Sequence, residues 1–215
     1  MFVDRQFRIA RQWSNRELKR IAPLMKGDVV NVSGWRDEDK EGGHYRDYFP
    51  GAASYTITNF GGFRGFQGGG GEIALDLTAP LPSELNAAFD VVYNHTTLEH
   101  IFEVRTAFKN LCMMSRDIVI VVVPFAQVQH EHENILDFWR FTPTCLRYLF
   151  KENGTEVVYE SANDHRNAAT YIVMAGAKKP QNWRGVLPEF TPLSEVASDI
   201  GMSWRKRIKR MLKAG

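Results

Sequence analysis

The chain has 215 residues and a net charge of +2, from 27 Lys and Arg against 25 Asp and Glu. At 44% hydrophobic and 24% charged it has the composition of an ordinary globule, which excludes a disordered chain, a collagen-like repeat and a small disulfide scaffold. Its longest apolar run, 118–126, falls far short of the about 20 residues a spanning helix needs, and Asp4, Arg5 and Arg8 break up any apolar leader core. Cys112 and Cys145 stand apart, as reduced cysteines of a cytoplasmic protein do.

The elements follow in chain order. Ser14 to Glu17 has capping-box spacing, which predicts a helix starting there and stopping near Pro23. Residues 27–34 (GDVVNVSG) predict a short buried strand entering a turn, and 54–58 (SYTIT) a second strand. The segment 61–71 holds seven glycines and no lysine in phosphate-loop spacing, so it is expected to be a flexible connector rather than a flap. Strands are predicted at 73–77 and 89–93. A helix over 98–114 follows, with Val104, Ala107, Phe108 and Leu111 on one buried face. The run 117–123 (DIVIVVV) is apolar at nearly every position, as a central strand covered on both faces is. Thr142-Pro143 predicts a helix start and Asn153-Gly154 its stop; strands at 155–159 and 170–177 close the pattern. This alternation predicts an α/β fold, a doubly wound and mostly parallel Rossmann-like sheet ending in an antiparallel hairpin. Residues 1–27 are expected to form an N-terminal helical segment, 28–177 the main domain, and 178–215 a linker with a basic helix.

In such sheets the ligand lies beyond the carboxyl ends of the strands. The strand ends here are 31–35, 59, 76, 94–95 and 124–125. Four stretches at these ends resemble the class I S-adenosylmethionine (SAM)-dependent methyltransferases: VVNVSG (29–34), LDLTAPLP (75–82), FDVVYNHTTLEH (89–100) and the VPF to DFWRFTP segment (123–143). They look most like the type 11-like bacterial group associated with sugars and polysaccharides, over about residues 28–177. The chain departs from the family's motif: Asn31 takes the acidic position, Ser33 and Trp35 take two glycine positions, and Asn59 stands where a ribose-binding acid is usual.

The resemblance implies SAM as cofactor, held by Asn31, Ser33, Gly34, Trp35, Asn59, Asp76, Asn94, His95, Glu99 and His100. Asp76 alternatively caps its strand, and Leu98-Glu99-His100 alternatively form an ordinary helix start. His130, His132 and Asp137 form the expected catalytic set, with a histidine as general base for a hydroxyl acceptor. Two solvated loop histidines are the rival reading. Trp139 and Arg140 suit a polar ring such as a sugar; an internal Asp137–Arg140 pair is the alternative. Two histidines at i, i+2 lack a third ligand at diagnostic spacing, so no metal is expected.

The implied activity is methyl transfer to a hydroxyl of a sugar or glycan intermediate. A non-catalytic binding or scaffold protein on the same fold is the rival. A nucleic-acid methyltransferase is disfavoured, because Tyr93-Asn94-His95-Thr96 replaces the usual Pro-Pro-aromatic run and no Pro-Cys occurs. Residues 201–215 carry six basic groups and no acid, leaving 21 basic against 25 acidic groups elsewhere, a net −4. Trp204, Ile208, Met211 and Leu212 fall on one helical face, so 204–213 is expected to lie on an anionic membrane surface. A helix docked on the core, a homo-oligomer contact and an RNA-binding arm are the rival readings of this segment.

Overall fold

A computed structural model describes residues 2–61, 65–131, 134–163, 168–194 and 196, with side chains from residue 8 onward. His132 and the basic segment 204–213 lie outside these residues, as do positions 62–64 of the glycine-rich stretch.

Seven strands form one sheet: β1 (Gly27–Val32), β2 (Ala52–Asn59), β3 (Glu72–Ala74), β4 (Phe89–His95), β5 (Ser115–Ala126), β6 (Glu156–Ala162) and β7 (Thr170–Ala177). Their spatial order is β3-β2-β1-β4-β5-β7-β6. The first five run parallel; β7 is antiparallel to both β5 and β6. The expected terminal hairpin is present, with β7 inserted beside β5 and β6 left as the edge. Chain order reverses between β1 and β4, so the ends of these two strands flank a crevice.

Strand parity divides the core. Val30, Val32, Val92, Val119, Val121 and Val123 face one layer with α2 (Val104–Met114) and α3 (Pro143–Glu152). Val29, Val91, Tyr93, Ile118, Ile120 and Val122 face the other, against α1 (Phe2–Ile21). Because successive strand side chains alternate in direction, an unbroken Ile/Val run feeds both layers at once.

Helix α1 corrects one expectation. It begins at Phe2, and Ser14 lies well inside it, so the S-x-x-E spacing is not a cap. Ala10, Ser14, Leu18 and Ile21 form a buried stripe at helical spacing, and this stripe sets the helix against the sheet. Leu98–His100 is likewise a single 3-10 turn, separate from α2. At α3, Thr142 Oγ1 accepts from Cys145 N at 3.1 Å and Gly154 has φ +69°, as its cap residues predict.

Residues 178–193, expected as a linker, lie on the body. Trp183 Nε1 donates to Asp117 Oδ2 at 3.0 Å, Leu187 is buried, and Leu193 N donates to Glu160 Oε1 at 2.9 Å. No described helix is long and apolar enough to cross a membrane.

Candidate active site

The ends of β1, β2 and β3 build the first half of the crevice. After β1 the backbone is left-handed at Ser33 (φ 57°), Trp35 (φ 48°) and Asp37 (φ 62°). Ser33 and Trp35 are the positions where the family pattern has glycine, so this chain keeps a glycine-like turn with other residues. Only glycine fits at 34, since a Cβ there would lie 2.5 Å from Asn31 Nδ2. Left-handed backbone disfavours ordinary side chains, and hydrogen bonds hold the turn in place. Trp35 N donates to Asn59 Oδ1 at 2.6 Å, and Asn59 Nδ2 donates to Trp35 O at 2.9 Å. Below the turn, the buried Asp37 carboxylate accepts from Asn31 Nδ2 at 2.8 Å and from Tyr55 Oη at 2.7 Å.

These contacts engage two of the expected ligands within the chain. Asn59 is committed to Trp35 and, at 2.6 Å, to Glu72 Oε1, so its amide locks the turn. Asn31 is buried and bonded to Asp37. Glu72 is a residue the sequence reading missed. Its carboxylate also accepts from Gln67 N at 2.9 Å and Gly69 N at 3.2 Å. Burial pushes its pKa up, but the bonds from Asn59 and these backbone groups outweigh that and hold it low. Asp76 is exposed at the end of β3; Oδ1 accepts from Thr78 N at 2.8 Å and Thr78 Oγ1 at 2.7 Å. It caps its turn with one oxygen and leaves Oδ2 toward solvent.

The second half is built on β4, β5 and β7. Asn94 and His95 leave β4 on opposite faces. Asn94 is fully buried; Nδ2 donates to Val32 O at 2.9 Å and Oδ1 has no partner. His95 points into the α1 layer. Arg11 Nη1 lies 2.9 Å from its Nδ1 and Ser14 Oγ 3.0 Å from its Nε2. Both ring nitrogens are therefore engaged by α1 in this structure. Burial, reinforced by Arg11, holds its pKa well below the usual histidine range, so the ring is neutral.

Arg11 itself was not singled out by sequence, because its role depends on how α1 packs. Its guanidinium donates to Tyr45 Oη at 3.1 Å and Thr96 Oγ1 at 3.0 Å, besides meeting His95. These partners are uncharged.

Glu99 follows β4 by four residues and is 1% exposed. Its Oε2 is buried without a hydrogen-bond partner, and Oε1 lies 3.9 Å from His100 Nε2. Burial raises its pKa to about 8. The segment after β5 is tied to its backbone: Phe138 N and Trp139 N donate to Glu99 O at 2.8 and 3.2 Å. His100 Nδ1 contacts Leu136 O at 2.6 Å, and its ring meets His130 edge to face at 5.1 Å. Burial also lowers the His100 pKa, despite that carbonyl.

Asp137 and Arg140 form the internal pair that was the alternative reading. Arg140 Nη1 and Nη2 each donate to an Asp137 oxygen at 2.6 Å, and His130 N donates to Oδ2 at 2.9 Å. Burial pushes Asp137 up, but these bonds outweigh it and keep the carboxylate ionised. This fully covered carboxylate ties Arg140 to the backbone of His130. Trp139 Nε1 donates to Ile101 O at 2.9 Å, and its ring stacks on Phe102 at 6.2 Å. Phe102 is 63% exposed, so an aromatic rim borders the mouth. Among the described residues no group of three or more His, Cys, Asp or Glu could hold a metal ion.

The chain matches no protein-family model, and no curated protein sequence matches it. Solved structures do share the fold. Magnesium protoporphyrin IX methyltransferase from Synechocystis, solved with bound S-adenosylhomocysteine (SAH), is 12% identical; the match covers 82% of this chain and 87% of that one, TM-score 0.57. A 1,6-didemethyltoxoflavin-N1-methyltransferase from Burkholderia thailandensis, solved with bound 1,6-didemethyltoxoflavin and SAH, is 17% identical over 78% and 80%, TM-score 0.56. A SAM-dependent methyltransferase from Mesorhizobium loti is 12% identical over 78% and 98%, TM-score 0.56. At such identities the likeness is one of fold, and the fold is that of the SAM-dependent methyltransferases.

Proposed function

We propose that this chain is a SAM-dependent methyltransferase acting on a hydroxyl of a small acceptor, a sugar or glycan intermediate being the class its polar, aromatic-rimmed mouth suits. The observation that carries the reading is the tight left-handed turn at Ser33–Trp35, closed over Asn31, at the switch point of a methyltransferase-type sheet. A backbone folded this closely leaves a shallow cradle, and two buried acceptor atoms at and after the end of β4 have no partner: Asn94 Oδ1 and Glu99 Oε2. These residues fit a ligand that is cationic at its amino-acid end and rich in hydroxyls at the other.

In this reading Asp76 Oδ2 and the turn at 33–35 hold the nucleoside. Asn94 and Glu99 face the methionine end. When bound, SAM supplies an electrophilic methyl group on a sulfonium. The chain's own residues align the acceptor and exclude water, and they move its proton. His100 and His130 stand edge to face at the mouth with Arg140 nearby, and Trp139 with Phe102 offers the apolar face of a ring something to stack on. His130, with Asp137 fixing its backbone, remains a candidate in acceptor binding; His132 is proposed on the sequence alone. Attachment of 204–213 to an anionic surface is a further part of the proposal and rests on the sequence of that segment.

Asn59 favours the second reading, a non-catalytic protein on the same fold, because its amide is used by Trp35 and Glu72 rather than left for a ribose. Calorimetric titration with SAM and SAH separates the two. Binding of both, with SAH at micromolar affinity, supports the enzyme. No heat and no thermal shift at millimolar nucleoside would leave the scaffold reading.

A further inference from the structure

Among the described residues four side-chain atoms are buried and unbonded: Tyr93 Oη, Asn94 Oδ1, Glu99 Oε2 and Gln127 Oε1. Three lie on β4 or just after it, and the fourth follows β5. An unpaired buried acceptor lowers stability, and each one in a native fold calls for an explanation. Glu99 is the one that can also change charge.

We propose that Glu99 is the proton acceptor of the reaction, held as a neutral acid in the free protein and turned into a carboxylate by entry of the positively charged methyl donor. The inference rests on the methyltransferase reading above. It stands first on placement. Glu99 follows the carboxyl end of β4 with its carboxyl buried and Oε2 unbonded, and the N–H groups of Phe138 and Trp139 hold its backbone carbonyl. Each element packed around it contributes a charge or a titratable group. Arg11 comes from α1, Asp137 and Arg140 from the segment after β5, Tyr171 from β7, and His100 is its neighbour in sequence. Arg140 is neutralised by Asp137. Arg11 has only uncharged partners, so it already draws Glu99 toward ionisation, but burial prevails. A second cation entering the same low-dielectric space adds the missing attraction.

The proton balance then closes. On donor binding Glu99 gives its proton to solvent. In the transfer the acceptor's O–H bond breaks as its oxygen bonds the methyl carbon. The electron pair of the sulfur–methyl bond stays on sulfur, and the acceptor's proton goes to the Glu99 carboxylate. The chamber now holds a neutral thioether and a neutral acid, the state in which it began. This also gives a means of telling donor from product by charge: SAM is matched to the ionised residue and SAH to the neutral one.

The test is calorimetric titration of the full chain with SAM and with SAH near pH 7, each in two buffers of different ionisation heat. SAM should release close to one proton per site and SAH none. The SAM dissociation constant should fall by up to about tenfold per pH unit between pH 6 and 8 and level off above, with that of SAH nearly flat. Glu99→Gln should lose both the proton release and the SAM-specific slope, whatever its affinity for SAH. Equal proton release with the two ligands overturns the proposal, and this comparison needs only the unaltered chain, whether or not E99Q folds. Persistence of the slope in E99Q overturns it as well. Failure to bind either ligand overturns instead the methyltransferase reading on which it rests.

Discussion

The two halves of the crevice are built on opposite principles. On the β1–β2–β3 side the polar side chains are committed: Asn59 to Trp35 and Glu72, Glu72 to Gln67 and Gly69, Asp37 to Asn31 and Tyr55. On the β4–β5–β7 side, buried Glu99 and Asn94 keep oxygens with nothing bonded to them. The first half spends its polar groups on holding a strained backbone turn. The second leaves them unspent, at a cost to stability, where a ligand can use them. A satisfied network makes a rigid platform, while an unsatisfied one makes a reactive chamber.

Breaking the reactive half at Glu99 should give the largest effect. Its pKa rises from an ordinary 4.5 to about 8 on folding. A raised carboxyl pKa stabilises the fold fully below the unfolded value and loses that contribution as pH climbs through the folded one. The protein should therefore weaken between about pH 4.5 and 8, by roughly 2–5 kcal/mol. E99Q should flatten this slope and be the more stable form at pH 8–9, as measured by denaturant midpoints across pH.

Asp137→Ala comes next. It leaves Arg140, about a quarter exposed, without its bidentate partner. A loss of about 2–3 kcal/mol is expected, below the figure for a wholly buried pair because Arg140 can reach water. Since Asp137 is a positioning residue, acceptor affinity should fall and SAH affinity should hold. Unchanged unfolding midpoints would mean that the segment after β5 is not anchored by this pair.

The platform half should respond in the reverse way. Asn59→Ala removes the bonds that pin Trp35 and should cost about 1–3 kcal/mol, with SAH binding weakened along with stability. If stability drops and SAH binding does not, the turn is not part of the nucleoside site. Ser14→Ala should have the smallest effect, about 1 kcal/mol from the lost bond to His95. SAH affinity should stay at the wild-type value, because this contact belongs to α1 packing. A marked loss of SAH binding in S14A would return His95 to the site.

The contrast between the halves also marks how far the sequence could be read. Local signals sufficed where one residue's chemistry decides the outcome. The Ile/Val run of β5, the Thr142-Pro143 start and Gly154 stop of α3, and the placing of β7 were legible, since alternation, capping and left-handed glycine are short-range effects. So was the α/β order of the sheet with its reversed last strand. The capping-box spacing at Ser14 misled, because helix α1 is held by its buried stripe rather than by a cap. The linker reading of 178–193 missed that Trp183 and Leu187 have the body to pack against.

For the site, composition and order named the segments, but partners decided what each residue does. That Ser33 and Trp35 occupy glycine-like positions was visible in the pattern; that they take left-handed backbone is known only from the folded turn. No local rule tells that Asn59 binds Trp35, that Asp137 is saturated by Arg140, or that α1 brings Arg11 to His95 across 84 residues of chain. The same is true of Glu99: the sequence placed an acid after β4, and only the fold tied its backbone carbonyl to Phe138 and Trp139 and left its side-chain oxygen buried and unbonded. The chemistry a side chain is capable of is written in its type, whereas its charge state and availability are set by desolvation and by neighbours distant in sequence, which exist only once the chain has packed.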